Sequence, residues 1–141
     1  MKRIYTLSIL FSILFVSGCS KDVFKRYDKR IVGTWRISDV NSVGFGGNTS
    51  DLPFTSGTFA FYANGTLDYV NSANAVFKGS WDIVKKTPEK ETVRSLQITA
   101  VDFTNQQVLS QYYDDMNFSG TDHFKATIQS GFQSYVTHFR R

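Results

Sequence analysis

A chain of 141 residues holds one domain with a substantial core and leaves no room for two. Its net charge of +4 falls to +2 over the 123 residues from Cys19 onward, where Lys2 and Arg3 no longer count. That is too mild a surplus to call for a nucleic-acid partner. Cys19 is the only cysteine, so no intrachain disulfide is available. Stability must come from packing, for which 13 Phe, 7 Tyr and 2 Trp supply the material.

Lys2 and Arg3 precede a mostly apolar run over residues 4–16, interrupted by Tyr5, Thr6, Ser8 and Ser12. The run is shorter than the roughly 20 apolar residues of a membrane-spanning helix and fits the apolar region of a secretory signal. Small residues at Ser17 and Gly18 let the backbone lie flat in a protease cleft, and Cys19 follows at once. Val16-Ser17-Gly18-Cys19 thus resembles the lipobox of bacterial lipoproteins. The resemblance implies cleavage after Gly18 and a diacylglycerol on the Cys19 sulfur, so that fatty acyl chains such as palmitate hold the protein to a membrane. Two or more such chains make a durable anchor, at about 0.8 kcal/mol for each buried methylene. An ordinary signal peptide with an incidental cysteine is the alternative.

Residues 1–18 therefore read as a lipoprotein signal peptide, 19–31 as a lipidated tether with a short helix, and 32–141 as the domain. Ser20 in place of aspartate resembles the sorting pattern for the Gram-negative outer membrane. Lys21-Asp22 resembles part of a surface-export signal whose second acid is here Val23. The periplasmic and cell-surface faces both stay open.

Over residues 20–30 the chain is basic, and Phe24, Tyr27 and Ile31 recur at helical spacing. The pattern predicts a helical plug on one end of the domain; a basic face resting on anionic head groups is compatible with it. Gly33, Trp35 and Ile37 then share one face of a strand. Residues 42–57 form a long Gly-, Ser- and Asn-rich connection with Phe45, Leu52 and Phe54 as its apolar members. In the hairpin over 58–69, a type I turn across residues 62–65 with a bulge at Gly65 puts Phe59, Phe61, Leu67 and Tyr69 on one face. A two-residue Asn64-Gly65 turn would set Phe61 against Asp68, so the apolar pattern selects the first register.

Alternation continues along 75–84, with Ala75, Phe77, Gly79, Trp81 and Ile83 pointing one way. After a charged turn containing Pro88, residues 93–103 place Leu96, Ile98 and Ala100 together, and Asn105-Gln106 turns the chain into 108–113. Strands over 117–128 and 132–139 are predicted to pair across Ser130-Gly131. Phe124, Ala126, Ile128, Tyr135, Thr137 and Phe139 then share a face, with His123 opposite His138 on the other. About eight strands joined mostly in sequence predict an all-β, up-and-down antiparallel β-barrel with a short N-terminal helix. A two-sheet β-sandwich is the alternative.

A short helical lead-in followed by Gly33-Thr34-Trp35 resembles the opening motif of lipocalins. With the lipobox, the Phe61-Tyr62-Ala63-Asn64-Gly65-Thr66 hairpin and a second Gly-x-Trp at Gly79-Ser80-Trp81, the chain looks like the lipocalin-like domain of Gram-negative bacterial lipoproteins. The resemblance implies that Trp35 closes the narrow end of the barrel with Gly33 beside it. It also implies that an arginine from the chain end, Arg140 or Arg141, lies across the indole. The chain departs from lipocalins in being short and in lacking their disulfide and C-terminal helix.

What the resemblance implies for function is a small apolar or amphipathic ligand inside the barrel. The expected lining is Phe59, Phe61, Leu67, Tyr69, Phe77, Trp81, Phe124, Tyr135 and Phe139, with Phe45, Leu52 and Phe54 at the mouth. An eight-stranded barrel is just wide enough either to hold such a ligand or to fill with its own side chains. The alternative function is therefore a solid surface module that binds a protein or glycan. His123, His138 and Asp122 fall short of the three or four well-placed ligands of a metal site, and Asp114-Asp115 reads as a solvated strand end. No nucleotide-binding loop or nucleophile constellation occurs. The expectation is a non-enzymatic monomer without cofactor, metal or nucleic acid, partnered by a membrane through Cys19.

Overall fold

The computed structural model describes residues 26–44, 48–87 and 92–141. One short helix, α1 (Tyr27–Ile31), leads into nine strands: β1 (Gly33–Val43), β2 (Thr58–Phe61), β3 (Thr66–Val70), β4 (Val76–Lys86), β5 (Val93–Asp102), β6 (Gln107–Tyr113), β7 (Asp115–Phe118), β8 (His123–Ser130) and β9 (Gln133–Arg140). All join one antiparallel sheet in the order β6-β5-β4-β3-β2-β1-β9-β8-β7. The sheet is mixed in neither direction nor layer. Strands consecutive in sequence pair with each other except β6 and β7, and the one pairing between distant strands is β1 with β9.

The hairpin register agrees with the apolar pattern. Gly65 N donates to the Tyr62 carbonyl at 3.0 Å across the turn, and Phe59 faces Tyr69 while Phe61 faces Leu67. The same period of two holds in β4 and β5, whose inward residues Phe77, Leu96, Ile98 and Ala100 are buried. Gly79 in β4 is a position of close approach, since a Cβ there would run into the Thr99 carbonyl of β5.

Three departures from the sequence reading stand out. The stretch 117–128 is not one strand. Residues 119–122 form a turn between β7 and β8, and Ser119 N donates to the His123 carbonyl at 3.0 Å. The β8–β9 hairpin turns on Gly131-Phe132, so His123 faces Arg140 and His138 faces Lys125; the two histidines are not opposite each other. β1 carries a bulge, with Ile37 opposite Phe139 and Asp39 opposite His138, which leaves Ser38 as the extra residue. Apolar spacing places Ile37 and Val40 on the core and gives no sign of the irregularity between them.

The hydrogen-bonded ladder is open between β6 and β7, yet these two edge strands follow one another in the chain with only Asp114 between them. Asp114 works as a hinge. Its carbonyl accepts from Ser95 Oγ of β5 (3.0 Å), its N–H donates to the Thr127 carbonyl of β8 (2.8 Å), and its Oδ2 accepts from Gln129 N (2.7 Å). One segment thereby leaves β5 and joins β8, and both ends of the sheet lie on it. The reading of Asp114 as a solvated strand end gives way to this structural role.

A single core collects residues from every strand and from Ile31 of α1. Since strand directions alternate, one end of the sheet carries α1, the turns at 62–65 and 119–122, and the chain terminus. The opposite end carries residues 48–57 and the turns at 71–75, 103–106 and 131–132. At that far end Phe54, only 1% exposed, closes on Phe59 and Tyr69 at centroid distances of 5.3 and 5.0 Å, edge to face. Phe54→Ala removes this plug, and by the cost of emptying a buried phenylalanine site it should lower stability by roughly 3–5 kcal/mol in denaturant titration. A loss below about 1 kcal/mol would show that the loop contributes little to closing this end.

One inward polar group stands apart. Thr137 is fully buried; its Oγ1 makes no hydrogen bond of regular geometry among the described residues, and its polar interaction is with the equally deep Tyr113 phenol. Burial pushes the Tyr113 pKa far above the ordinary range, and the Thr137 hydroxyl beside it pulls the other way. Because the phenol shares that interaction, Thr137→Val should change stability by no more than about 1 kcal/mol in either direction. A loss of about 1–3 kcal/mol, the cost of an unmet buried hydroxyl, would show that the two groups are fully paired.

Candidate functional site

Two regions qualify for attention: the aromatic interior and a groove on the outer flank of β7, β8, β9 and β1. The interior begins at Trp35, completely buried, whose Nε1 donates to the Ile31 carbonyl at 2.6 Å. That bond ties the first strand to the helix. Across the indole lies the Arg141 guanidinium, 4.5 Å from the ring centroid, and its NH2 donates to the carbonyls of Arg30 and Val32 at 2.9 Å each. Gly33 adopts φ +129°, a backbone conformation that favours glycine, and the Arg141 guanidinium passes directly beside it. Arg140 has no part in this closure. It is exposed on β9, opposite Arg36 and His123.

Behind Trp35 the rings run without a break. Trp35 meets Phe124 edge-on at 4.8 Å, Phe124 stacks on Phe139 at 4.2 Å, and Phe139 meets Phe59 at 5.8 Å. Phe59 stacks on Phe61 at 5.5 Å and on Tyr69 at 4.5 Å, and Tyr69 leads to Phe77 at 5.5 Å. Of the nine residues read as a cavity lining, Phe59, Phe61, Leu67, Tyr69, Phe77, Phe124 and Phe139 are 0–2% exposed. Trp81 and Tyr135 are half-buried: Trp81 Nε1 donates to the Tyr62 carbonyl at 3.1 Å, and Tyr135 OH donates to Gln133 Oε1 at 2.9 Å. Of the mouth residues, Phe54 turns inward and Leu52 is half-buried. Phe45 and Cys19 lie outside the described residues.

On the flank, the bulge at Ser38 pushes two successive side chains outward and opens a groove of about 760 Å³. Asp39 and Asn41 line it from β1, His138 from β9, His123 and Lys125 from β8, and Asn117 from β7. Ser38 Oγ donates to the His138 carbonyl at 3.1 Å, and Asn41 Nδ2 donates to Asp39 Oδ2 at 2.7 Å. The second Asp39 oxygen and the Asn41 carbonyl are thereby oriented rather than free to rotate. Short amides, a carboxylate and imidazoles at mixed height can give and accept hydrogen bonds together. Among the described residues no three of His, Cys, Asp and Glu are grouped closely enough to hold a metal ion. His123 and His138 were read from the sequence as outward-facing, which their places in this groove match. Asp39, Asn41 and Asn117 were not singled out, because nothing local marks a bulge that arises from a mismatch with β9.

The two arginines at the chain end differ in a way that stability can read. Arg141→Ala should cost about 1.5–4 kcal/mol, the sum expected for an exposed cation–π contact and two carbonyl hydrogen bonds. Arg140→Ala should stay within about 0.5 kcal/mol, as for other surface positions. Equal effects would remove Arg141 from the closure. Compared with known protein families, with characterised proteins and with solved structures, this chain matches none.

Proposed function

We propose that the protein is a membrane-tethered, lipocalin-like module that binds a hydroxyl-rich ligand, a glycan, on its outer flank instead of a lipid in its interior. The observation that carries the reading is the unbroken contact of rings from Trp35 to Phe77, closed at one end by α1 and Arg141 and at the other by Phe54. Rings packed this closely in the interior weigh for a ligand on the outside. The groove beside Asp39, Asn41 and His138 offers paired donors and acceptors of the kind that sugar hydroxyls satisfy. In this reading the chain is no enzyme, and its reach is set by acyl groups on Cys19, in the outer membrane of a Gram-negative bacterium.

A second reading, an amphipathic small molecule inside the sheet, draws on the buried Thr137 and Tyr113 hydroxyls, a polar pair in the core that would suit a head group. Extraction of the purified native protein separates the two. The flank reading expects no stoichiometric lipid beyond the chains carried by Cys19 itself. It also expects oligosaccharide binding, in an array followed by calorimetry, that falls at least tenfold (about 1.4 kcal/mol) in Asn41→Ala and His138→Ala without loss of folded signal. Release of one lipid per chain, or oligosaccharide binding unchanged in both variants, would sink it.

A further inference from the structure

Among the described residues, the end of the sheet that carries α1 gathers a cluster of cations, few of which pair with a carboxylate. Three guanidiniums are laid on rings there: Arg30 over Phe118 at 4.2 Å, Arg94 over Tyr27 at 4.0 Å and Arg141 over Trp35 at 4.5 Å. Their remaining hydrogen bonds go to backbone carbonyls of Gly120, Arg30 and Val32, not to acids. Lys29, Lys85 and Arg140 are exposed around the same end. Among the described residues the ion pairs are Arg26 with Asp28 at 3.3 Å and Lys78 with Asp68 at 3.0 Å, and only the first is at this end. Asp122 is the other acid of the turn that meets α1. Guanidiniums held flat on aromatic faces keep N–H edges for an outside acceptor, and so many like charges at one end raise a field that favours an anionic partner.

The chain outside the described residues fixes where that partner lies. Arg26 begins the described N-terminal segment at this end. Residues 19–25 can span at most about 25 Å when fully extended. A Cys19 held in a bilayer would therefore keep this end within about 25 Å of the head groups. The opposite end is different in kind, with Phe103 and Phe132 at its turn tips 76% and 103% exposed. We infer that the α1 end of the sheet is a docking surface for anionic phospholipid head groups, which sets the domain upright with the turns at 103–106 and 131–132 pointing away from the membrane. The inference rests on the tether of the proposed function, and its test is built to work without the acyl chains.

The test uses the full chain carrying Cys19→Ser, mixed with vesicles of phosphatidylcholine alone or with 30% phosphatidylglycerol added. The apolar residues 4–16 contribute to both vesicles alike, so the excess partition into the anionic ones is the readout. It should be at least tenfold and should collapse between low salt and 0.5 M NaCl, because the charges are screened. A basic residue near such a surface is worth about 1 kcal/mol, or about fivefold. Lys29→Gln, Lys85→Gln and Arg140→Gln together should thus remove most of the excess, bringing partition to within about threefold of the neutral vesicles with an unchanged melting curve. Phe132→Ser at the far end should leave it alone. Equal partition into both vesicles, a triple variant equal to its parent, or a drop in Phe132→Ser would each overturn the inference. Acylation of Cys19 is read separately from the mass of the native chain, so the two ideas fail independently.

Discussion

The ring contacts between Phe59, Phe139, Phe124 and Trp35 are the constraint on which the rest of this structure depends. Each ring comes from a different strand, and their packing spans the long-range pairing of β1 with β9. A sheet of nine short strands can coil around a volume of limited width. Large, stiff side chains pack into that volume, and the largest of the buried core residues are aromatic or long aliphatic side chains removed from water.

Closure at the helix end shows how few groups are needed to lock a coiled sheet. One indole N–H to the Ile31 carbonyl and one guanidinium across the indole join α1, β1 and the last residue of the chain. The same guanidinium meets two carbonyls that the short helix and its exit leave unpaired. A second hinge, Asp114, performs the matching task on the other side by handing one segment from β5 to β8. The side-chain carboxylate there stabilises β8 by accepting from Gln129 N, a place where the strand ladder would otherwise have a loose donor.

Other carboxylates divide by the same logic. Asp102 sits at the entrance of the turn at 103–106, where the Asn105 side chain and the N–H groups of Thr104 and Asn105 hold its pKa below the usual range. It acts as a turn cap, not as an acid. Asp68 is likewise lowered, first by its hydrogen bond to Lys78 across β3 and β4 and then by Tyr62. Both are fully accounted for by local structure, and neither faces the flank groove. Asp39 differs, because the bulge presents it beside Asn41 and His138 in a concave surface.

Much of the sheet was legible in the sequence because its cause is local. Alternation in β2 to β5 follows from a backbone that turns successive side chains to opposite faces. The hairpin register at 62–65 follows from Gly65 and from which pairing keeps Phe61 off Asp68. The inward face of β8 and β9 followed too, and the register of its turn did not, because the choice between Ser130-Gly131 and Gly131-Phe132 leaves the same residues inside. What only the tertiary structure decided are contacts between residues far apart: the Ser38 bulge, the Asp114 hinge, the inward turn of Phe54, and Arg141 in place of Arg140 over Trp35. Arg30 reaches Gly120 and Arg141 reaches Arg30 across 90 and 111 positions. Short-range sterics and apolar periodicity act on neighbours and are written in the chain, whereas such meetings exist only after strands distant in sequence have paired.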